Sequence, residues 1–142
     1  MIRVCRHCGQ KNRVPAARLT EPVRCGKCKT PFPPPAEPID ADPELFDEVQ
    51  QHAKIPALVD FWAAWCGPCR IAAPEVAKVA RELAGRAIVL KVDTEQHPAL
   101  AARFGVQGIP NFLVLKNGQK VFQQAGVVPS AEMRRWLEKA GA

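Results

Sequence analysis

No stretch of this 142-residue chain approaches the ~20 consecutive apolar residues that span a bilayer, so no membrane helix is expected. There is no Gly-x-Gly-x-x-Gly turn, so no flavin or nicotinamide is expected to be bound on this chain. The opening residues, Met1 to Cys8, contain no apolar h-region. A secretory leader is therefore not expected, and the reading is cytoplasmic. Aromatic residues make up only 6% of the chain, and Phe32 is the only one before residue 39. A base-stacking platform is hard to build there, so nucleic acid is not an expected partner.

What is present is uneven. Residues 1–38 hold eight Lys/Arg against Glu21 and Glu37, which accounts for the whole formal charge of +6. The remaining chain is formally neutral. If four thiolates in the basic segment bound one Zn²⁺, the site would contribute −2 and leave about +4. The hydrophobic content of 47% suits one globular domain with a small appendage.

Six cysteines occur, all in Cys-x-x-Cys pairs. The pair Cys66/Cys69 follows the apolar run Ala57–Trp62, which reads as a buried strand. It precedes Ala72, Ala73, Val76, Val79, Ala80 and Leu83, spaced as on one helix face. A dithiol at such a junction sits at a helix N-terminus, where unpaired N–H groups and the helix dipole stabilise a thiolate. Cys66 can then be an exposed nucleophile, with Cys69 tucked behind it as the resolving thiol, the arrangement of thiol–disulfide exchange. A metal-binding or structural pair is the alternative. Trp65, Gly67-Pro68 and the strand–helix context favour the redox dithiol. Asp60, embedded in the strand, is a candidate base for the resolving thiol, or else a strand-ending or helix-capping residue. Lys91 on a neighbouring strand can pair with it or be simply solvated.

The other pairs, Cys5/Cys8 and Cys25/Cys28, are separated by sixteen residues, within the range for zinc. Four thiolates from two short turns can close a tetrahedral site, with Gly9 and Gly26 easing the turns. His7 is a less favoured ligand because four cysteines fill the shell. Two structural disulfides, or free thiols, are the alternative, disfavoured in a reducing compartment. About thirty residues bury too little surface to fold alone, so one zinc ion is the expected organiser. The segment Pro31–Pro38 is rich in proline and reads as a semi-rigid spacer or a loop packed on the main domain. The expected division is 1–32 for a zinc-binding module, 33–40 for a linker and 41–142 for the main domain. A proline spacer predicts that the module can loosen without unfolding the rest.

In the main domain Asp42-Pro43-Glu44 reads as a helix start. Strands are expected at Ala57–Phe61, Ala87–Val92, Asn111–Lys116 and Lys120–Gln124, the last two joined by an Asn117-Gly118 hairpin turn. Helices are expected after Cys66, with a kink at Pro74, from Pro98 to Phe104, and after a Ser130 cap. The order β-α-β then α-β-β-α calls for a mixed sheet with helices on both faces.

The stretch Asp60-Phe61-Trp62-Ala63-Ala64-Trp65-Cys66-Gly67-Pro68-Cys69-Arg70 resembles the active-site segment of the thioredoxin family. The similarity continues through Gly108-Ile109-Pro110 and Phe112–Gly118, and covers about residues 40 to 142. It departs at Asn111, where the family usually has Thr. The N-terminal pairs resemble the zinc-binding extension of the thioredoxin-2 type. The resemblance implies an α/β thioredoxin fold preceded by a zinc-ribbon-like module with ligands Cys5, Cys8, Cys25 and Cys28. It implies a proton-carrying role for Asp60 and its pairing with Lys91. It also implies a cis-proline loop at Ile109-Pro110 facing the dithiol. Trp65, Gly67, Pro68, Ile109 and the Gly126-Val127 turn would then form an apolar patch around Cys66, with Trp62 as support. The implied activity is protein-disulfide reduction by a monomer, with thioredoxin reductase as partner. A disulfide oxidase or isomerase, or a non-catalytic binding or chaperone module, are the other readings.

Overall fold

The computed structural model describes residues 1–142. Two small hairpins come first. Strands β1 (Ile2–Val4) and β2 (Lys11–Arg13) pair antiparallel, as do β3 (Val23–Arg24) and β4 (Pro31–Phe32). Each hairpin carries one cysteine pair at its tip. The turns are built alike: Gly9 donates to the Cys5 carbonyl and Lys29 to the Cys25 carbonyl, at 2.9 and 3.0 Å. Gly9 and Lys29 both adopt left-handed backbone, with φ of 76° and 65°. Gly26 does not, so its expected help to the second turn is replaced by Lys29, the residue equivalent to Gly9.

A five-stranded sheet follows, in the order β5-β7-β6-β8-β9. Its members are β5 (Ile39–Asp40), β6 (Ala57–Trp62), β7 (Ile88–Asp93), β8 (Asn111–Lys116) and β9 (Gln119–Ala125). The first three pair parallel, while β8 runs antiparallel to β6 and β9. The hairpin turn has positive φ at Asn117 and Gly118, the requirement of a type I′ turn. Strand β5 was not expected. Its two residues carry no periodic signal and fall in the stretch that reads as linker.

Helices α1 (Pro43–His52) and α3 (Pro98–Arg103) cover one face, and α2 (Gly67–Glu82) and α4 (Ser130–Lys139) the other. Asp42 caps α1 by accepting from the Leu45 N–H at 2.8 Å. Ser130 does not cap α4. Pro129 holds the cap position without a side-chain bond, and Ser130 is the first helical residue, buried. Helix α2 runs from Gly67 to Glu82 with Pro74 inside it.

Both sheet faces are buried, so β6 reads as a continuous apolar run. Val59 and Phe61 join Phe46, Leu90 and Leu113 beneath α1 and α3. Leu58 joins Val76, Phe112 and Met133 beneath α2 and α4. The period-two alternation therefore puts Asp60 on the α2 face. No helix is long and apolar enough to cross a membrane.

The N-terminal hairpins do not stand apart. A 3₁₀ turn at Ala16–Arg18 and its neighbours place Val14, Ala16 and Leu19 in the same apolar cluster as Phe46 and Val49 of α1. The Ala16 N–H donates to Glu48 at 2.9 Å, and Lys54 pairs with Glu21 at 3.2 Å. In the proline stretch, Pro34 lies against Gly85, its Cγ 3.4 Å from where a Cβ would stand.

Candidate active site and metal centre

The end of β6 and the start of α2 converge on Cys66. Cys66 is the N-cap of α2 and accepts a bond from the Cys69 N–H at 3.1 Å. The two cysteines are joined as a disulfide. Both cysteines are buried, Cys66 at 3% and Cys69 at 5% exposure. The expected contrast between an exposed nucleophile and a hidden partner is thus absent: the disulfide ties the two together in one small apolar cluster with Ala63, against which Trp62 and Ile109 pack.

The loop before β8 closes the site. The Ile109–Pro110 bond is cis, and the Ile109 carbonyl oxygen lies 3.7 Å from Cys66 Sγ. The Gly126 N–H donates to the Pro110 carbonyl at 2.8 Å, which fixes the Gly126-Val127 turn beside that loop. Gly67, Pro68, Gly126 and Val127 are exposed, Ile109 is half-buried and Pro110 is buried. Trp65 is 66% exposed, and its indole N–H donates to Glu95 at 2.9 Å. Ile71, exposed at 67%, follows Pro68 at helical spacing. Neither Glu95 nor Ile71 was expected. Ile71 had a sequence signal, since it is apolar yet lies off the buried stripe of α2; Glu95 had none.

Asp60 lies under α2, 2% exposed, with one carboxyl oxygen lacking a hydrogen-bond partner. Burial pushes its pKa up to about 7, against a downward pull from the Lys91 charge. The register sets Asp60 directly across from Lys91 on β7, and Lys91 across from Asp40 on β5. The expected Asp60–Lys91 contact is nevertheless not an ion pair. The Lys91 Nζ instead lies 4.4 Å from the centre of the Trp62 ring, a cation–π contact. Trp62 and Lys91 also line a cleft of about 360 Å³ with Asp40 and Asp93. The Trp62 indole nitrogen, also buried, lacks a partner.

The second constellation is at the hairpin tips. The sulfurs of Cys5, Cys8, Cys25 and Cys28 all lie within 4.8 Å of one another. Cys5 faces Cys28, and Cys8 faces Cys25, each at 3.6 Å. A tetrahedron with Zn–S bonds of about 2.3 Å has S···S edges of about 3.8 Å, so the four fit zinc. The Cys28 backbone N–H, with the Asn12 side-chain amide and the Lys27 N–H, brings the Cys25 thiol down to about 6, and the Thr30 hydroxyl lowers Cys28. Cys8 is instead raised to about 11: the Gln10 N–H pulls it down, but burial and bonds to the other three sulfurs outweigh that pull. His7 stays exposed, outside the cluster.

A mixed sheet that presents a disulfide at a helix N-terminus, against a cis-proline loop, defines a thiol–disulfide oxidoreductase. A family model described as Thioredoxin matches residues 37–139, and a zinc-ribbon model described as Thioredoxin 2, N-terminal, matches residues 4–30. The chain is 37% identical to thioredoxin C-3 of Corynebacterium nephridii over 139 residues, 98% of this chain and 94% of that protein. It is 43% identical to thioredoxin 1 of Chlorobaculum tepidum over 97 residues, 68% of this chain and 96% of the relative. Among solved structures it superposes on a mutant thioredoxin from Halobacterium salinarum with a TM-score of 0.70, at 29% identity, covering 76% and 94% of the two chains. Chloroplastic thioredoxin z gives 0.68 at 26% identity, covering 73% and 94%. The chain belongs to the thioredoxin family.

Proposed function

We propose that this protein is a cytosolic protein-disulfide reductase, re-reduced by a thioredoxin reductase and acting as a monomer. The observation that carries the reading is the Cys66–Cys69 disulfide, with Cys66 at the N-cap of α2 and beside the Ile109 carbonyl. In the reduced chain the Cys66 thiolate is held by the Cys69 N–H and the helix dipole. It attacks one sulfur of a substrate disulfide and expels the other as thiolate. Cys69 then loses its proton and attacks Cys66 Sγ, which releases the second substrate thiolate and closes the disulfide. Two electrons pass to the substrate, and a reductase restores them.

Asp60 takes the Cys69 proton in this scheme, because a buried carboxyl titrating near 7 can exchange one at neutral pH. Lys91 positions that carboxyl electrostatically. Trp65, Gly67, Pro68, Ile109, Pro110, Gly126 and Val127 receive the substrate chain: Trp65, Gly67, Pro68, Gly126 and Val127 are exposed, Ile109 is half-buried, and the buried Pro110 follows it through the cis bond.

We assign one zinc ion to Cys5, Cys8, Cys25 and Cys28, where it supplies cross-linking of the two hairpins. Two equivalents of a peroxide, each accepting two electrons and reduced to water, would oxidise the four thiolates to two disulfides and leave no thiolates to hold the ion, so the module can also tune the enzyme. A reducing compartment suits both this cluster and a reductant dithiol.

The test is turnover of a protein disulfide with NADPH and a thioredoxin reductase. Cys66→Ser is expected to abolish it, and Cys69→Ser to accumulate substrate as a mixed disulfide. Trapping by Cys66→Ser instead would reverse the assignment. No reduction by the wild-type chain would favour the binding or chaperone reading, and a strongly oxidising potential would favour the oxidase or isomerase.

A further inference from the structure

The hairpins β1-β2 and β3-β4 share no ladder. Apart from the cysteines themselves, one side chain hydrogen-bonds from one hairpin to the other. Asn12, in the middle of β2, accepts from the Gly26 N–H through Oδ1 at 2.9 Å. Its Nδ2 donates to Cys25 Sγ at 3.5 Å and to the Gln10 carbonyl at 3.1 Å. The backbone N–H of Gly26 can only donate, so the amide orientation is set, and the Nδ2 end must face the sulfur. Thr30, the other side chain bonded to a cysteine of the cluster, contacts Cys28 within its own hairpin.

The charge argument gives this geometry a purpose. Four thiolates around a divalent cation carry a net charge of −2, and N–H donors aimed at the sulfurs spread that charge. Cys25 is fully buried and cannot be served by water. It receives Asn12 Nδ2 together with the Lys27 N–H at 3.4 Å.

We propose that Asn12 is an outer-sphere residue of the metal centre, which sets how firmly the site retains Zn²⁺ by donating to Cys25 while clamping Gly26. The proposal rests on the zinc assignment above. Two variants separate its parts. Asn12→Ala removes both the donor and the clamp. Asn12→Asp keeps an acceptor for Gly26 but loses the N–H to sulfur and adds negative charge beside the thiolates. A role limited to holding the backbone would be rescued by aspartate; a role in metal retention would not.

The experiment is Zn²⁺ competition against a chromophoric chelator with the reduced full-length chain. Co²⁺ substitution, read by its thiolate charge-transfer bands, verifies four-sulfur ligation. Both variants are expected to hold Zn²⁺ about 10- to 100-fold more weakly than wild type, the usual effect of losing an outer-sphere partner. Wild-type affinity in Asn12→Asp, or a change within about twofold in Asn12→Ala, overturns the proposal; about twofold lies well below the outer-sphere effect. Should Asn12→Ala fail to fold, Asn12→Asp decides alone. A wild-type chain that takes up no Zn²⁺ would remove the zinc assignment and this inference together.

Discussion

The ammonium of Lys91 lies over the Trp62 ring, 4.4 Å from its centre, although the sheet register sets Lys91 directly across from Asp60. The lysine thus lowers the Asp60 pKa by its field without forming a bond, and burial dominates the balance. Lys91→Met keeps the bulk and removes the charge. It is expected to move the Asp60 titration above about 7, in the direction set by the lost pull of Lys91. Carboxyl ¹³C NMR of reduced protein measures this. An unmoved titration would show that the cation on Trp62 has no influence on the carboxyl.

Asp60→Asn tests the same carboxyl through stability. The folded pKa of about 7 is raised above the unfolded value of ~3.9. Between those values the folded chain binds the extra proton. The stability associated with neutral Asp60 is fully present below pH ~4 and is lost as pH rises through about 7. The rise from ~3.9 to about 7 corresponds to roughly 4 kcal/mol. Asparagine is neutral throughout and costs little volume. The variant should be more stable by a few kcal/mol in urea at pH ~8.5, and nearly indistinguishable at pH ~4. Breakdown of a mixed disulfide should be slower than in wild type, with a flatter pH profile. Unchanged rates from pH ~6 to ~9 would leave Asp60 a structural role.

Most of the main domain was legible because its signals are local. The Asn117-Gly118 turn, the Asp42-Pro43 helix start and the α2 stripe each depend on neighbouring residues, and each forms as expected. The signals that failed depend on partners far along the chain. Strand β5 exists only because Ile39 and Asp40 pair with β7. Lys91 Nζ lies over the Trp62 ring and makes no ion pair with Asp60. Glu95 meets Trp65 thirty residues away. The Lys29 turn was hidden because lysine does not announce positive φ.

The Trp65–Glu95 bond suggests a change in substrate handling. Trp65 is the largest exposed apolar group beside Cys66, and the carboxylate fixes its indole at 2.9 Å. Glu95→Ala frees the ring without touching either thiol. KM for a protein disulfide is expected to rise severalfold, by about 1 kcal/mol for one lost charge-assisted bond, while kcat stays near wild type. A small aromatic disulfide reagent, which needs no docking surface, should react at the wild-type rate. An equal loss on both substrates would place Glu95 in the chemistry of the dithiol instead.

The N-terminal module is expected to contribute to the stability of the main domain, which a free spacer would not allow. Leu19 is 2% exposed and packs in one cluster with Phe46 and Val49 of α1. Removing the proposed zinc ion would free the hairpins on either side of the 3₁₀ turn that delivers Leu19, so the α1 side of the core should loosen with them. Leu19→Ala tests the contact without touching a ligand, and should cost about 2–5 kcal/mol, as a buried Leu→Ala change does. All three tryptophans, Trp62, Trp65 and Trp136, lie in the main domain, so their fluorescence reports that domain alone. Thermal unfolding followed by this signal should shift down by at least about 5 °C in Leu19→Ala, and in the same direction when a chelator strips the wild-type chain. Equal midpoints with and without zinc would mean that the hairpins can detach while the shared cluster survives. An earlier far-UV circular dichroism transition in the stripped chain, with the tryptophan midpoint unmoved, would mean that the module and the main domain unfold separately, joined only through the proline segment.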